Sequence, residues 1–257
     1  MSSAYPPARK SLGQNFLHDP NVIARIVASI EPAPDDVMIE IGPGRGALTI
    51  PLLQTLKSLH VVEYDRELAS RLPALPGGER LQIHQGDAVA FDFDRVPGRL
   101  RVVGNLPYQI SSPLLFRLAE YAPRIEDMVF MLQKEVVERM TATSGSGTYG
   151  RLTVMLATSF QSDKLFDVGP GAFKPAPKVH SSIVRMVPRP DGPMDVGDPL
   201  RFAELVRKGF GARRKTVRNA LKGLVEAADF AACDIDAGAR PETISPERWA
   251  ALSRQLG

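Results

Sequence analysis

Four consecutive residues, Asn105-Leu106-Pro107-Tyr108, combine groups that could act on a planar exocyclic amine. The amine of adenine is a poor nucleophile because its lone pair is delocalised into the ring. Acceptors offered to both N–H bonds favour the pyramidal form that attack requires. The side-chain oxygen of Asn105 and the carbonyl of Leu106 could supply them, with Pro107 fixing the turn. Tyr108 could stack on the base, a contact worth roughly 1–3 kcal/mol. No general base is needed, since the alkylated amine is acidic enough to lose its proton to water. Asn and Pro are also frequent in ordinary strand-ending turns, so the tetrapeptide gains its meaning from the residues upstream.

Upstream, the β-rich run Val37–Ile41 leads into Gly42-Pro43-Gly44-Arg45-Gly46. Glycines at a strand-to-helix turn let the backbone approach a ligand closely. Glu63 follows 21 residues after Gly42, at the end of the next β-rich run. In nucleotide-binding α/β folds that position carries an acid that accepts from ribose hydroxyls. A dinucleotide oxidoreductase would fit these two features equally. The glycine spacing, however, is not that of a pyrophosphate turn, and Pro43 lacks an amide donor that a phosphate could use. Both points favour a ligand without phosphate, such as S-adenosylmethionine. Asp87, in Gly86-Asp87-Ala88 after a third run, could accept from the adenine amine of such a cofactor.

These residues must be positioned by βαβ units. The pattern predicts strands at Val37–Ile41, Leu59–Glu63, Leu81–His84, Leu100–Gly104 and Asp127–Leu132. Helices are predicted at Leu48–Lys57, Arg66–Leu72, Ser112–Glu120 and Lys134–Thr143. Ahead of them, Asp19-Pro20 opens a helix carrying Val22, Ile23, Ile26, Val27 and Ile30, and Pro32 and Pro34 end it. Arg151–Phe160 reads as a further helix and Ser182–Val187 as a strand. The proline-rich stretch from Pro188 to Pro199 suggests a boundary. The expected division is 1–188, a Rossmann-like domain with an N-terminal lead-in, and 189–257, a small all-helical domain. In the latter, one stripe contains Phe202, Leu205, Val206 and Phe210. A second contains Val217, Leu221, Leu224, Val225 and Ala228, and Ser245-Pro246 opens a last helix with Trp249 and Leu252 inward.

Composition narrows the class. Apolar residues make up 44% and charged residues 24% of 257, ordinary for a folded protein. The single cysteine, Cys233, excludes an internal disulfide and fits a reducing compartment. The four histidines show no ligand spacing, so no metal is expected. No run approaches the roughly 18 apolar residues of a membrane helix, and the first ten residues do not read as a secretory signal. A cytoplasmic monomer is expected. Residues 201–222 hold eight Lys/Arg against one acid, a local charge of +7 in a chain whose total is +3. Such a block suits a polyanion, although a solvated helix face has the same composition.

At this point the chain closely resembles the ribosomal RNA adenine dimethyltransferases, and within them the small-subunit group. The resemblance runs through Gln14–Leu17, Glu40–Thr49, Val62-Glu63, Gln85–Ala88, Gly104–Tyr108, Gln133–Val136, Tyr149–Leu152, Phe173–Val179 with Ser181, and Arg213–Thr216 with Arg218-Asn219. It covers nearly the whole length. It departs at residues 143–147, where relatives often carry proline. The resemblance implies an S-adenosylmethionine-dependent Rossmann-like domain in which Asn15, Leu17, Gly42, Glu63, Asp87 and Asn105 contact the cofactor. Asn105, Leu106, Pro107 and Tyr108 would form the transfer site. Gln14–Leu17 becomes a lid over the methionine end.

The implied reaction places two methyls on each of two adjacent adenosines in a hairpin near the 3′ end of small-subunit (16S) RNA, with the immature 30S subunit as partner. Arg213, Arg214, Lys215 and Arg218 would contact RNA. Competing readings are the large-subunit RNA methyltransferases, which share the cofactor and Asn105–Tyr108 motifs, and a non-catalytic assembly factor. Intact Glu63, Asp87 and Asn105 argue against the second. The Arg213–Asn219 segment argues against the first.

Overall fold

The computed structural model describes residues 6–9, 12–212 and 214–257. Its strands are β1 (Phe16–Leu17), β2 (Met38–Ile41), β3 (Leu59–Glu63), β4 (Leu81–Gln85), β5 (Leu100–Asn105), β6 (Ile125–Gln133), β7 (Phe160–Val168), β8 (Phe173–Lys174) and β9 (Ser181–Pro188). The helices are α1 (Pro20–Ile30), α2 (Thr49–Leu52), α3 (Arg66–Ala69), α4 (Ser111–Glu120), α5 (Lys134–Met140), α6 (Arg151–Ala157), α7 (Pro199–Gly209), α8 (Val217–Ala220), α9 (Ala227–Ala232) and α10 (Pro246–Gln255).

Among the described residues, one sheet has seven strands in the order β4-β3-β2-β5-β6-β9-β7. β2 pairs in parallel with both β3 and β5, and the chain order reverses direction across the sheet at that point. This is the topological switch point at which open α/β sheets bind ligands, beyond the carboxyl ends of the strands. β6 pairs in parallel with β5 and antiparallel with β9. Central strands buried on both faces need continuous apolar runs, and Met38, Ile39, Ile41, Val61, Val102 and Val103 are all buried. At the starting edge, Arg101 of β5 ties three elements together. Its guanidinium bonds Asp127 of β6 at 2.7 Å, Asp36 at 2.6 Å and the Ile30 carbonyl at 2.5 Å. That clamp holds the start of the strand whose other end is Asn105.

By its contacts the chain forms two compact units. One is Met1–Val137 with Asp163–Val187, and the other is Glu138–Ser162 with Pro188–Gly257. The last junction, at Val187/Pro188, coincides with the proline-rich boundary in the sequence. Residues 138–162, expected in the first domain, group instead with the C-terminal unit. The cause is packing: Tyr149 and Val154 belong to a core with Phe202, Val206, Val217 and Trp249, and the Tyr149 hydroxyl donates to the Ile244 carbonyl at 2.7 Å.

Helix ends follow their local chemistry. Asp19 caps α1 by accepting from the amides of Asn21 and Val22, with Pro20 at the first position and Glu31 leaving the helix at φ +52°. Several elements differ from their predicted extents. The predicted helix 48–57 is regular only over α2, with Pro51 in its first turn, and the chain continues in turns to Leu56. The predicted helix 66–72 ends at Ala69, before Pro73. The second C-terminal stripe divides into α8 and α9 around Gly223, which adopts φ +80°. Residues 143–147 form a turn in which the Gly145 amide, at φ +88°, donates to the Glu242 carbonyl at 2.7 Å.

Candidate active site

A cavity of about 340 Å³ opens at the carboxyl ends of β2, β3, β4 and β5. Asn15, Leu17, Gly42, Glu63, Asp87, Asn105, Leu106, Pro107 and Tyr108 all line it. Every candidate for cofactor binding or transfer from the sequence therefore falls on one site, although the residues span more than ninety positions of chain. The volume lies within the usual range for small-molecule sites, about 300–1,000 Å³.

The floor is the turn after β2. Gly42 and Gly44 adopt φ +67° and +58°, where side chains are strained. The Gly42 amide is fixed by the Val62 carbonyl at 2.9 Å. A Cβ on Gly42 would point at the Asn105 carbonyl, 3.8 Å away, and at Pro107. The two loops thus approach each other as backbone, leaving the space above them open.

Glu63 ends β3 and is almost fully buried. Its Oε2 accepts from the Gly44 amide at 3.0 Å and its Oε1 from the Asp65 amide at 2.8 Å. Both oxygens are thereby aimed, and each retains a lone pair for a hydroxyl donor. Burial raises the Glu63 pKa, while the amide bonds and the charge on Asp65 act in opposite senses. Asp87 is exposed at the mouth, its Oδ1 accepting from the Val89 amide at 2.9 Å.

Asn105 ends β5, and its Nδ2 donates to the Asn15 carbonyl at 3.2 Å. A carbonyl can only accept, so this contact fixes which end of the amide is nitrogen and leaves Oδ1 as the free acceptor. Leu106 is buried, with its amide bonded to the Met131 carbonyl at 3.2 Å. The carbonyl of Pro107 accepts from the Ser111 hydroxyl at 3.2 Å, tying the turn to α4. Tyr108 is half-buried, its hydroxyl 2.9 Å from Ser181 Oγ at the start of β9.

Three further lining residues had no assigned role in the sequence reading. Glu40, in the middle of β2, is 2% exposed, and burial pushes its pKa up to about 8. The hydroxyl of Thr49 donates to it at 2.7 Å and opposes that rise, whereas the charge of Glu63 adds to it. A carboxylate between Ile39 and Ile41 was the available signal. Tyr64, directly after Glu63, is 62% exposed at the cavity and offers an aromatic face. Phe173 reaches the cavity through the short β1–β8 ladder, where Leu17 pairs with Phe173. Among the described residues no cluster of three or more His, Cys, Asp or Glu could hold a metal ion.

The basic candidates lie in the other unit. Arg214, Lys215 and Arg218 are exposed in and just before α8. Arg213 lies outside the described residues.

A profile of the family described as "Ribosomal RNA adenine dimethylase" matches residues 7–256. The chain belongs to this family. Its sheet is that of the Rossmann-like methyltransferases. The chain is 53% identical over 249 residues to "Ribosomal RNA small subunit methyltransferase A" of Aromatoleum aromaticum, covering 97% of this chain and 94% of that one. It is 51% identical to the protein of the same name from Neisseria gonorrhoeae, covering 97% and 96%. Among solved structures it is similar to a dimethyladenosine transferase from Plasmodium falciparum, at 26% identity and TM-score 0.79, covering 92% of this chain and 95% of the other. It is also similar to the 23S rRNA methyltransferase ErmE, at 30% identity and TM-score 0.69, covering 94% and 99%.

Proposed function

We propose that the protein transfers methyl groups from S-adenosylmethionine to N6 of two adjacent adenosines in the 3′-terminal hairpin of small-subunit (16S) ribosomal RNA, giving N6,N6-dimethyladenosine during small-subunit biogenesis. The observation that carries this reading is the meeting of two chemistries in one cavity. An aimed carboxylate, Glu63, stands at one part of the wall, and the oriented amide of Asn105 stands at another. Within a family whose relatives act on either ribosomal subunit, identity of 51–53% to small-subunit enzymes against 30% to ErmE favours the small subunit.

The residues fit the cofactor. Glu63 would accept from its ribose hydroxyls, Gly42 would let the backbone pass close to it, Asp87 would meet its adenine amine, and Asn15 and Leu17 would hold its methionine end. S-adenosylmethionine supplies an electrophilic methyl when bound. The chain's own work is to present the nucleophile. Asn105 Oδ1 and the Leu106 carbonyl accept the two N–H bonds of the target amine, which stabilises its pyramidal form. Tyr108, braced by Ser181, stacks on the base and holds it in line. The proton released after transfer passes to water. Exposed Arg214, Lys215 and Arg218, with Arg213, hold RNA phosphates.

The test is single-turnover transfer by Asn105→Ala with saturating cofactor and RNA, which isolates the chemical step. An acceptor used mainly in the transition state lowers the barrier more than it tightens the ground state. The expected rate loss is about 10²–10³, with RNA affinity within a few-fold of wild type. A near wild-type rate would remove Asn105 from the mechanism.

A further inference from the structure

Around the cavity mouth, hydrogen bonds run from Glu63 through Asp65 to Gln14, and from the adjacent residue Asn15 to Asn105; the middle of this series lies outside the functions assigned above. Asp65, just beyond Glu63, is the N-cap residue before α3 and is 3% exposed. Its Oδ1 caps α3 by accepting from the Glu67 amide at 2.9 Å. Its Oδ2 faces the N-terminal segment, accepting from Gln14 Nε2 at 3.0 Å and lying 3.3 Å from Arg9 Nη1. The other end of the Gln14 amide accepts from the Arg9 amide at 2.8 Å, and Arg9 Nη2 reaches Glu67 at 3.2 Å. Gln14 is thus held at both ends of its side chain. The next residue is Asn15, whose carbonyl receives Asn105 Nδ2. After it the chain is pinned by the β1–β8 ladder.

A carboxylate as buried as Asp65 is costly to keep without partners. Capping a four-residue helix uses only one of its oxygens. The second oxygen is committed wholly to the segment that carries Asn15. We propose that Asp65, acting through Gln14, is a positioning residue for the methyl-transfer step: it sets the Asn15 carbonyl that orients the Asn105 amide. Because the Asp65 amide also donates to Glu63, the same turn serves the ribose acid and the amine acceptor. Release of the Gln14 contact lets the Asn105 amide rotate, so that its nitrogen competes with its oxygen for the place facing the target amine. The inference rests on the reading of Asn105 given above.

The geometry allows a test by exchanging donor and acceptor. Asp65→Asn keeps the oxygen that caps α3, since only an acceptor can serve the Glu67 amide. It replaces Oδ2 with an NH₂ group that cannot accept from Gln14. Gln14→Glu keeps the acceptor for the Arg9 amide but sets two carboxylates against each other. The double variant restores one hydrogen bond, now donated by the side chain at 65 to the side chain at 14. Single-turnover rates would be measured at saturating S-adenosylmethionine and small-subunit RNA, alongside cofactor affinity and thermal midpoints. Each single variant is expected to lose about tenfold in rate, the scale of one charge-assisted hydrogen bond. The double variant is expected to recover to within about threefold of wild type, with RNA affinity unchanged throughout. Asp65→Asn at the wild-type rate beside a slow Asn105→Ala would overturn the positioning role and leave the reading of Asn105 intact. A double variant as slow as the singles would overturn it too. A fast Asn105→Ala would contradict the underlying reading, and the inference with it.

Discussion

Two buried carboxylates, Glu40 and Glu63, share one cavity wall and answer to different local chemistry. Glu63 is aimed by two backbone amides, whereas Glu40 has a single hydroxyl partner in Thr49. With its folded pKa pushed up to about 8, Glu40 stays neutral between about 4.5 and about 8, where an unfolded glutamate is charged. A raised folded pKa means that the stability it contributes is fully present below about 4.5 and is lost as pH rises through about 8. Unfolding by denaturant should therefore become easier between pH 5 and pH 8. Glu40→Gln, which mimics the neutral form, should flatten that dependence. Equal slopes for the two proteins would show that Glu40 ionises at its ordinary pKa within the fold.

At the scale of elements, the approach of β2 to β5 determines whether the glycine turn and Asn105 share a site. Gly104 permits that approach, because a Cβ there would lie 2.5 Å from the Ile41 carbonyl. Backbone cannot move aside as a flexible side chain would. Gly104→Ala should destabilise the protein by about 1–3 kcal/mol, the usual cost of overpacking, and should slow methyl transfer because Asn105 is the next residue. An unchanged denaturation midpoint would contradict the close-packing account.

The parts of the fold that were legible in the sequence are those whose signals are local. Strands β2, β3 and β5 are largely apolar runs ending in chemically distinctive turns, so Gly42, Glu63 and Asn105 could be placed at their ends. Helix α1 declared itself through Asp19 and Pro20, and α10 through Ser245 and Pro246. Strand β7 did not, because it lies at the edge of the sheet and buries only Phe160 and Val168 at its ends. Between them Leu165 and Phe166 are adjacent among polar residues, so no alternation marks a strand. The β1–β8 ladder pairs two residues with two, too few for any pattern, yet it brings Leu17 and Phe173 to the cavity. The hydrogen bond from Asn105 to Asn15 joins residues ninety positions apart, and no local spacing could disclose it.

At the scale of the whole molecule, chemistry and charge are divided between units. The cavity lies in one, and the exposed cations Arg214, Lys215 and Arg218 lie in the other. Among the described residues no helix is long and apolar enough to cross a membrane. If these cations bind RNA phosphates, neutralising all three should lower RNA affinity and flatten its salt dependence. Each lost contact should change the log–log slope by somewhat less than one unit, and cofactor affinity should persist. A fall in affinity at constant salt slope would indicate that the cations act on folding instead.

The central claim is a reaction at defined atoms of a defined RNA. Its most direct measurement is mass mapping of methylated adenosines in ribosomal RNA from a strain lacking the protein, with and without complementation by the wild-type chain or Asn105→Ala. The account predicts that two adjacent N6,N6-dimethyladenosines near the 3′ end of small-subunit RNA are missing from the deletion strain. They should return with the wild-type chain and stay largely absent with Asn105→Ala. An unaltered small-subunit pattern in the deletion strain, or a loss confined to large-subunit RNA, would contradict it.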